Sequence, residues 1–148
     1  MINNTTNLQT DDLKKLSQDG ELYFNEHDMS KAEICFDQII AMDPLNYEAL
    51  NNLGVIHFTE GRVQKAIDFF HKALEIHEDY AESLENIALC YKKNGDYDKA
   101  AESFEKALKS GDNKPETLIS IINCHLQSGE FSLAKDFLKR FIHEYGHH

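Results

Sequence analysis

The chain is 148 residues long, and its content of 41% hydrophobic and 28% charged residues is typical of a folded protein rather than a disordered tail. Its formal net charge of −11 disfavours nucleic acid and membrane surfaces as partners, because both are anionic, and favours basic partners. No apolar run approaches the roughly 18 residues of a spanning helix, and the polar start lacks the features of a signal peptide. With three cysteines and no C-x-x-C spacing, the expected location is a reducing cytoplasm.

An internal repeat of 34 residues runs from Leu13 to His148 without an insertion. Its clearest column is an alanine, and a large apolar residue follows each alanine four positions later. These residues are Ala32, Ala66, Ala100 and Ala134, followed by Phe36, Phe70, Phe104 and Leu138. Three further columns are Leu16, Leu50, Leu84 and Leu118; Gly20, Gly54, Ala88 and Ile122; and Tyr23, His57, Tyr91 and His125.

These columns predict two packed helices in each unit. The leucine and the small residue lie four positions apart and share one face of a first helix. The small residue lets a second helix approach, and the alanine and the large residue on that helix fill the space between them. A glycine recurs at Gly61, Gly95 and Gly129, as a tight turn requires. The predicted helix pairs are 12–26 and 30–43, 47–59 and 63–77, 81–94 and 97–109, and 115–128 and 131–144.

The pattern Leu50-x-x-Leu53-Gly54-x-x-His57, followed by Ala66-x-x-x-Phe70-x-x-Ala73, resembles a tetratricopeptide repeat. The resemblance divides a single domain, residues 13–148, into repeats 13–46, 47–80, 81–114 and 115–148, after a polar N-terminal arm, 1–12. It implies an all-α fold, a right-handed superhelical solenoid of four helix-turn-helix hairpins. The last unit departs most from the pattern, which is expected of a terminal repeat.

The resemblance also implies a concave groove lined by the first helix of each hairpin, and with it a function in binding other proteins. Side chains of these helices that the packing columns do not use are expected to face the groove. They are Glu21, Phe24, Glu48, Asn51, Asn52, Val55, Phe58, Glu82, Glu85, Asn86, Leu89, Ile119, Asn123 and Leu126. Because this set is acidic over an apolar floor, we expect a scaffold or adaptor that binds a peptide or protein segment with basic and apolar residues.

Two asparagines of this set, Asn52 and Asn86, occupy equivalent positions in neighbouring units. The resemblance implies that such amides hold the backbone of a ligand, and solvated or capping asparagines are the alternative. Family members that bind a chaperone's terminal carboxylate use a clamp of two lysines, one arginine and two asparagines. The equivalent positions here hold Ser17, Glu21, Asn52, Glu82 and Asn86, and Asn52 alone matches. We therefore do not expect chaperone-tail binding.

One motif suggests catalysis. His143-Glu144-x-x-His147 matches the H-E-x-x-H pattern of zinc peptidases, which makes a zinc-dependent hydrolase a remote alternative. We expect a fraying terminus there instead of the walled site that a catalytic zinc needs, and Gly146 interrupts the motif. Chance spacing or the remnant of an affinity tag is the simpler interpretation. No other catalytic pattern occurs, so we predict a protein that is not an enzyme and has no cofactor.

Two cysteines, Cys90 and Cys124, lie one repeat apart on neighbouring first helices. A disulfide between them needs favourable geometry, and a metal site would need His57 and His125 beside them. Buried small apolar side chains are the simpler interpretation, and no metal is predicted.

The last predicted helix carries Phe137, Leu138, Phe141 and Ile142 with no later helix to cover them. Three explanations stay open: the chain is a fragment of a larger protein, it self-associates through this helix, or a partner docks there. We favour the fragment. The alternative to a groove-binding adaptor is therefore a structural or self-associating module that makes contacts through its ends.

Overall fold

A computed structural model describes the backbone of residues 3–146 and the side chains of residues 10–146. Its described residues form eight α-helices and no strand. The helices are α1 (Asn3–Asn25), α2 (Met29–Met42), α3 (Tyr47–Thr59), α4 (Val63–Ile76), α5 (Ala81–Lys93), α6 (Tyr97–Lys109), α7 (Pro115–Ser128) and α8 (Phe131–Tyr145). Successive helices pack in pairs, α1 with α2 through α7 with α8, and we number these hairpins 1 to 4.

Seven of these helices begin and end within one residue of the predicted bounds. The exception is α1, which begins at Asn3 instead of residue 12, so most of the segment predicted as a polar arm is helical. No glycine or proline precedes Gly20, and a helix extends readily once it is nucleated. The segment has no apolar period, which is why the sequence pattern did not predict a helix there.

Three turns contain the glycines that the sequence predicted for them. Gly61, Gly95 and Gly129 have φ angles of 80°, 81° and 83°, a left-handed conformation that favours glycine because it has no Cβ. Pro115 lies in the first turn of α7, where a helix does not use the backbone N–H that proline lacks. The three glycines fix where hairpins 2, 3 and 4 turn, which helps to explain the accuracy of the predicted bounds.

The contacts divide the chain into two compact units, the first ending at Ile76 and the second beginning at His77. The first unit therefore contains hairpins 1 and 2, and the second contains hairpins 3 and 4. A core cluster of the first unit consists of Ala32, Phe36, Ile39, Ala49, Leu53 and Ile56. A core cluster of the second unit consists of Ala88, Ala100, Ala101, Phe104, Ile121 and Cys124.

The alanine column is buried in all four hairpins, and the phenylalanine column is buried in the first three. Leu138, the last member of the second column, is 45% exposed, as expected for a residue with no later predicted helix to cover it. Among the described helices α8 packs chiefly on α7, and its other side faces solvent. The burial of this column therefore depends on a neighbouring helix that hairpin 4 lacks in the described residues.

The small residues of the first helices lie directly against aromatic rings. A Cβ atom added to Gly54 would lie 2.4 Å from Cε1 of Phe70, and one added to Gly20 would lie 2.8 Å from Cζ of Phe36. Carbon atoms in van der Waals contact are about 3.5–4.0 Å apart. The absent side chain therefore sets the distance between the two helices of hairpins 1 and 2.

Candidate functional site

A cavity of about 270 Å³ opens between α1 and α3 of the first unit. Its lining consists of Glu21, Phe24, Asn25, Phe36, Asn52 and Val55. Four of these side chains, Glu21, Phe24, Asn52 and Val55, are among the predicted groove residues. We call this space the first-unit cavity. It brings together predicted residues of α1 and α3, the first helices of hairpins 1 and 2. Phe24 and Val55, for example, are 31 positions apart in the chain.

The first-unit cavity combines an apolar wall with an acidic rim. Phe24 and Val55 are half-buried, and Phe36 closes the base from the core. Glu21 is exposed, and its carboxylate accepts a hydrogen bond from Ser17 Oγ at 3.5 Å. The half-buried amide of Asn52 can both donate and accept hydrogen bonds. Such a lining suits an apolar stem that ends in a cation.

One predicted groove residue is in the wrong place. Asn51 is completely buried, so it cannot face a ligand. It follows Leu50 and precedes Asn52 on α3, at the border between the packing face and the cavity. Neighbouring residues are separated by about 100° around a helix, so Asn51 lies close to both faces. The sequence spacing does not show whether the surrounding helices cover such a residue. Of the other two predicted residues on α3, Glu48 is exposed and Phe58 is half-buried.

The sequence did not single out Asn25, which lines the first-unit cavity beside Phe24. Its equivalent in hairpin 4 is Gln127, which lines a separate cavity of about 330 Å³ in the second unit. That cavity is also lined by Lys92, Tyr97, Asn123 and Cys124, of which Asn123 was a predicted groove residue. The equivalent residues of hairpins 2 and 3 are Thr59 and Lys93, so no repeat pattern pointed to Asn25. Lys92 gives the second cavity a basic group.

The second unit carries the remaining predicted groove residues on α5 and α7. Its apolar members are exposed, and its amides are half-buried on α5 and exposed on α7. The apolar members are Leu89, Ile119 and Leu126, and the amides are Asn86 and Asn123. Glu82 is exposed and accepts a hydrogen bond from the Tyr80 hydroxyl at 2.7 Å. This surface is therefore apolar, with acidic groups near the start of α5.

Glu85 does not contribute a free negative charge to that surface. Lys114 Nζ lies 2.7 Å from Glu85 Oε1 and 3.5 Å from Asp112 Oδ1, so one lysine bridges two carboxylates. Burial raises the pKa of Glu85, with the neighbouring Asp112 adding to the rise and Lys114 opposing it. Burial opposes the shift at Asp112, but the hydrogen bond donated by Thr117 and the interactions with Glu85 and Lys114 lower its pKa. The group joins α5 to the loop before α7.

Comparisons with known proteins agree with this architecture. Two family profiles described as tetratricopeptide repeat match residues 46–113 and 91–146. The chain belongs to the tetratricopeptide repeat (TPR) family. The predicted all-α fold of TPR hairpins is therefore confirmed. TPR repeats are generally interaction modules without catalytic activity.

Solved structures share this TPR fold at low sequence identity. MamA is 24% identical over 88% of this chain and 77% of its own, with a TM-score of 0.80. A tetratricopeptide repeat protein from Parabacteroides merdae is 23% identical over 93% of this chain and 55% of its own, with a TM-score of 0.82. The first TPR of Spaghetti (RPAP3), bound to the HSP90 peptide SRMEEVD, is 16% identical over 80% of this chain and 94% of its own, with a TM-score of 0.75. A search of curated protein sequences found no match.

The histidines of the TPR packing column are buried, as predicted for packing residues. His57 stacks on Phe69 with ring centroids 5.0 Å apart, and His125 stacks on Phe137 at 5.6 Å. Nε2 of His57 lies 3.6 Å from a carboxylate oxygen of Glu33 on α2. Burial lowers the pKa of His57, and the cations Arg62 and Lys65 lower it further, whereas Glu33 opposes the shift. The folded protein therefore favours the neutral ring.

Acid should destabilise the first unit through His57. Below the ordinary histidine pKa of 6.5 the unfolded chain takes up a proton that the folded chain resists, so folding stability falls as the pH drops towards the lowered pKa. His57→Tyr, which introduces the residue of hairpins 1 and 3, should reduce this fall. Urea unfolding at about pH 7.5 and about pH 5 measures it. Exposed His71→Tyr is the control, and an equal pH dependence in the two variants would contradict the assignment.

The buried cysteines are poor nucleophiles, and the zinc-like motif lies only partly within the described residues. Cys90 and Cys124 are buried free thiols, and burial raises the pKa of both, that of Cys90 to about 11. They pack as small apolar side chains, as interpreted from the sequence. Glu144 is held 2.7 Å from Nε of Arg140, and His147 lies outside the described residues. No three His, Cys, Asp or Glu side chains from residues 10–146 cluster in a way that could hold a metal ion.

Across the part of the chain that the structure describes, no helix has both the length and the apolar character needed to cross a bilayer.

Proposed function

We propose that this chain is a protein-binding adaptor whose first-unit cavity receives a basic and apolar segment of a partner. The supporting observation is the cavity of about 270 Å³, where four of the predicted groove residues meet. Its size suits one long side chain, since cavities for whole small ligands begin at about 300 Å³. One anchor side chain of the partner would enter the cavity. The rest of the segment would contact side chains along the first helices.

The charge of the partner follows from the rim. Glu21 is on the cavity, Glu48 is exposed on α3, and the chain as a whole carries −11. An arginine or lysine stem can lie along Phe24 and Val55 while its cation meets the Glu21 carboxylate. An acidic segment would place like charges together, which is costly in a partly desolvated cavity.

The peptide in the Spaghetti structure, SRMEEVD, is of the opposite kind, with three acidic residues and one arginine. In this chain, Glu21 and Glu82 occupy two of the positions equivalent to the clamp that binds a chaperone's terminal carboxylate in other family members. Both carboxylates are exposed and accept hydrogen bonds from Ser17 and Tyr80. A carboxylate-rich peptide of that kind would meet like charges at these positions, so we infer a different class of ligand for this chain.

Selection of peptides from a random display library on the purified chain tests this proposal. The selected sequences should be enriched in Lys or Arg next to large apolar residues. Glu21→Lys should weaken a selected peptide about tenfold, or about 1.4 kcal/mol, as measured by fluorescence anisotropy. Glu26→Lys is the matched control, since it makes the same charge change at an exposed position just beyond α1 and outside the cavity lining.

Two results would contradict the proposal. Selected peptides without basic residues would remove the charge argument. Equal losses in Glu21→Lys and Glu26→Lys would show that net charge, and not the cavity, determines binding.

A further inference from the structure

The outer side of α8 presents an apolar stripe that no described helix covers. Phe131, Leu138 and Ile142 are 68%, 45% and 56% exposed, and their spacing of seven and four residues places them on one side of the helix. Lys135 and Lys139 are exposed along one edge of this stripe. We call these five residues the α8 face. Its three apolar side chains form one patch and are not isolated apolar residues scattered over the surface.

The repeat shows what packs against the equivalent face inside each unit. In the first unit Phe36, the equivalent of Leu138, lies in one core cluster with Ile56 of the following first helix, α3. In the second unit Phe104 lies in one cluster with Cys124 of the following first helix, α7. Ile56 and Cys124 are equivalent positions, and both are buried. A first helix with an apolar residue at this position would therefore cover the α8 face.

The chain itself supplies such a helix in α1. Leu22 is the equivalent of Ile56 and Cys124, and it is 53% exposed. The outer side of α1 thus offers the surface that α3 and α7 bury. Lys15 is the equivalent of Ala49 and Thr117, which are both buried. Its flexible aliphatic stem can lie along the partner helix while its ammonium group stays in water.

Charges at the two surfaces are also complementary. Across the contact between hairpins 1 and 2, Glu33 Oε2 on α2 lies 3.7 Å from Nη2 of Arg62 in the turn before α4. The residue equivalent to Glu33 in hairpin 4 is Lys135, and the residue equivalent to Arg62 in hairpin 1 is Asp28. Each charge is opposite in sign to its equivalent in the pair of Glu33 and Arg62, so Lys135 and Asp28 would also attract each other. Asp28 caps α2 and contacts Lys31 at 2.8 Å, but its side chain remains 36% exposed and can receive a second cation.

We propose that a second copy of this chain docks its α1 on the α8 face, head to tail, so that hairpin 1 follows hairpin 4 as one more repeat. Leu22 then contacts Leu138 and Ile142, and Asp28 lies beside Lys135. The two surfaces differ, so each contact leaves one α8 face and one α1 surface unused. Such heterologous contacts build open rows of copies instead of closing into a symmetric dimer.

Two surface variants test the direction of this contact. Leu22→Ser blocks the α1 surface, and the double variant Leu138→Ser with Ile142→Ser blocks the α8 face. All three residues are exposed, so circular dichroism should show an unchanged fold. By sedimentation at high micromolar concentration, the unaltered chain should grow in mass with concentration, and each variant alone should stay monomeric. An equimolar mixture of the variants should form a dimer and nothing larger.

Other outcomes would overturn the proposal. A monomer of the unaltered chain at every concentration would exclude self-association. Association of Leu22→Ser equal to that of the unaltered chain would indicate a symmetric contact between two α8 faces, or a partner surface other than α1. A monomeric mixture of the two variants, with association of the unaltered chain, would also exclude the head-to-tail contact.

The charge pair gives an independent measurement. Asp28→Asn keeps the helix cap and removes the charge, and Lys135→Gln removes the other charge. Each should weaken association several-fold, and the double variant should be no weaker than the more affected single variant. Additive losses would contradict a direct pair. Exposed Lys109→Gln on α6 is the control for the loss of one positive charge and should leave association unchanged.

Discussion

Phe70→Ala should destabilise the first unit by about 3–5 kcal/mol, whereas Leu138→Ala should cost about 1 kcal/mol or less. Phe70 and Leu138 belong to one repeat column, but they differ in burial. Phe70 is 1% exposed with its ring against Gly54, and its truncation leaves a cavity in the core. Leu138 faces water over almost half of its surface, so its truncation removes little buried area.

Urea unfolding followed by circular dichroism measures both free energies of unfolding, since the chain has no tryptophan. A loss of 3–5 kcal/mol is a large part of the 5–15 kcal/mol that typically stabilises a folded domain. Similar losses in the two variants would show that Leu138 is covered in solution. For that reason the comparison should be made at low micromolar concentration, where the proposed contact between copies would be dissociated.

Gly54→Ile should destabilise the first unit by about 3 kcal/mol, the upper range for overpacked cores. The first added carbon alone would lie 2.4 Å from the Phe70 ring, so the ring or α4 must move. Hairpin 4 carries Ile122 and Leu138 at the two equivalent positions, a larger residue opposite a smaller one. The double variant Gly54→Ile with Phe70→Leu should therefore be more stable than the sum of the single changes predicts.

A double-mutant cycle from urea unfolding measures this compensation, which we expect to be about 0.5–3 kcal/mol. Gly54→Ala is the intermediate control, because alanine gains about 1 kcal/mol of helix propensity against a smaller clash. Strictly additive losses would mean that the Phe70 ring does not set the helix separation in hairpin 2.

The candidate site was predictable to different degrees along the chain. Glu21, Phe24, Asn52 and Val55 were predicted from the repeat and line one cavity. Asn51 was misplaced, because a position between two faces of a helix is buried or open according to neighbours that are distant in sequence. Glu85 was expected to be a free acid, but its partner Lys114 is 29 residues away and no local pattern connects them.

The sequence by itself determined the hairpins, their bounds and their packing columns, because helix periodicity, turn glycines and a 34-residue repeat are all local or periodic properties. Only the tertiary structure decided which equivalent residues are covered. Leu22 follows the same pattern as Ile56, yet it faces water. Burial of an apolar side chain requires a second surface against it, and a repeat specifies the side chain without specifying that surface.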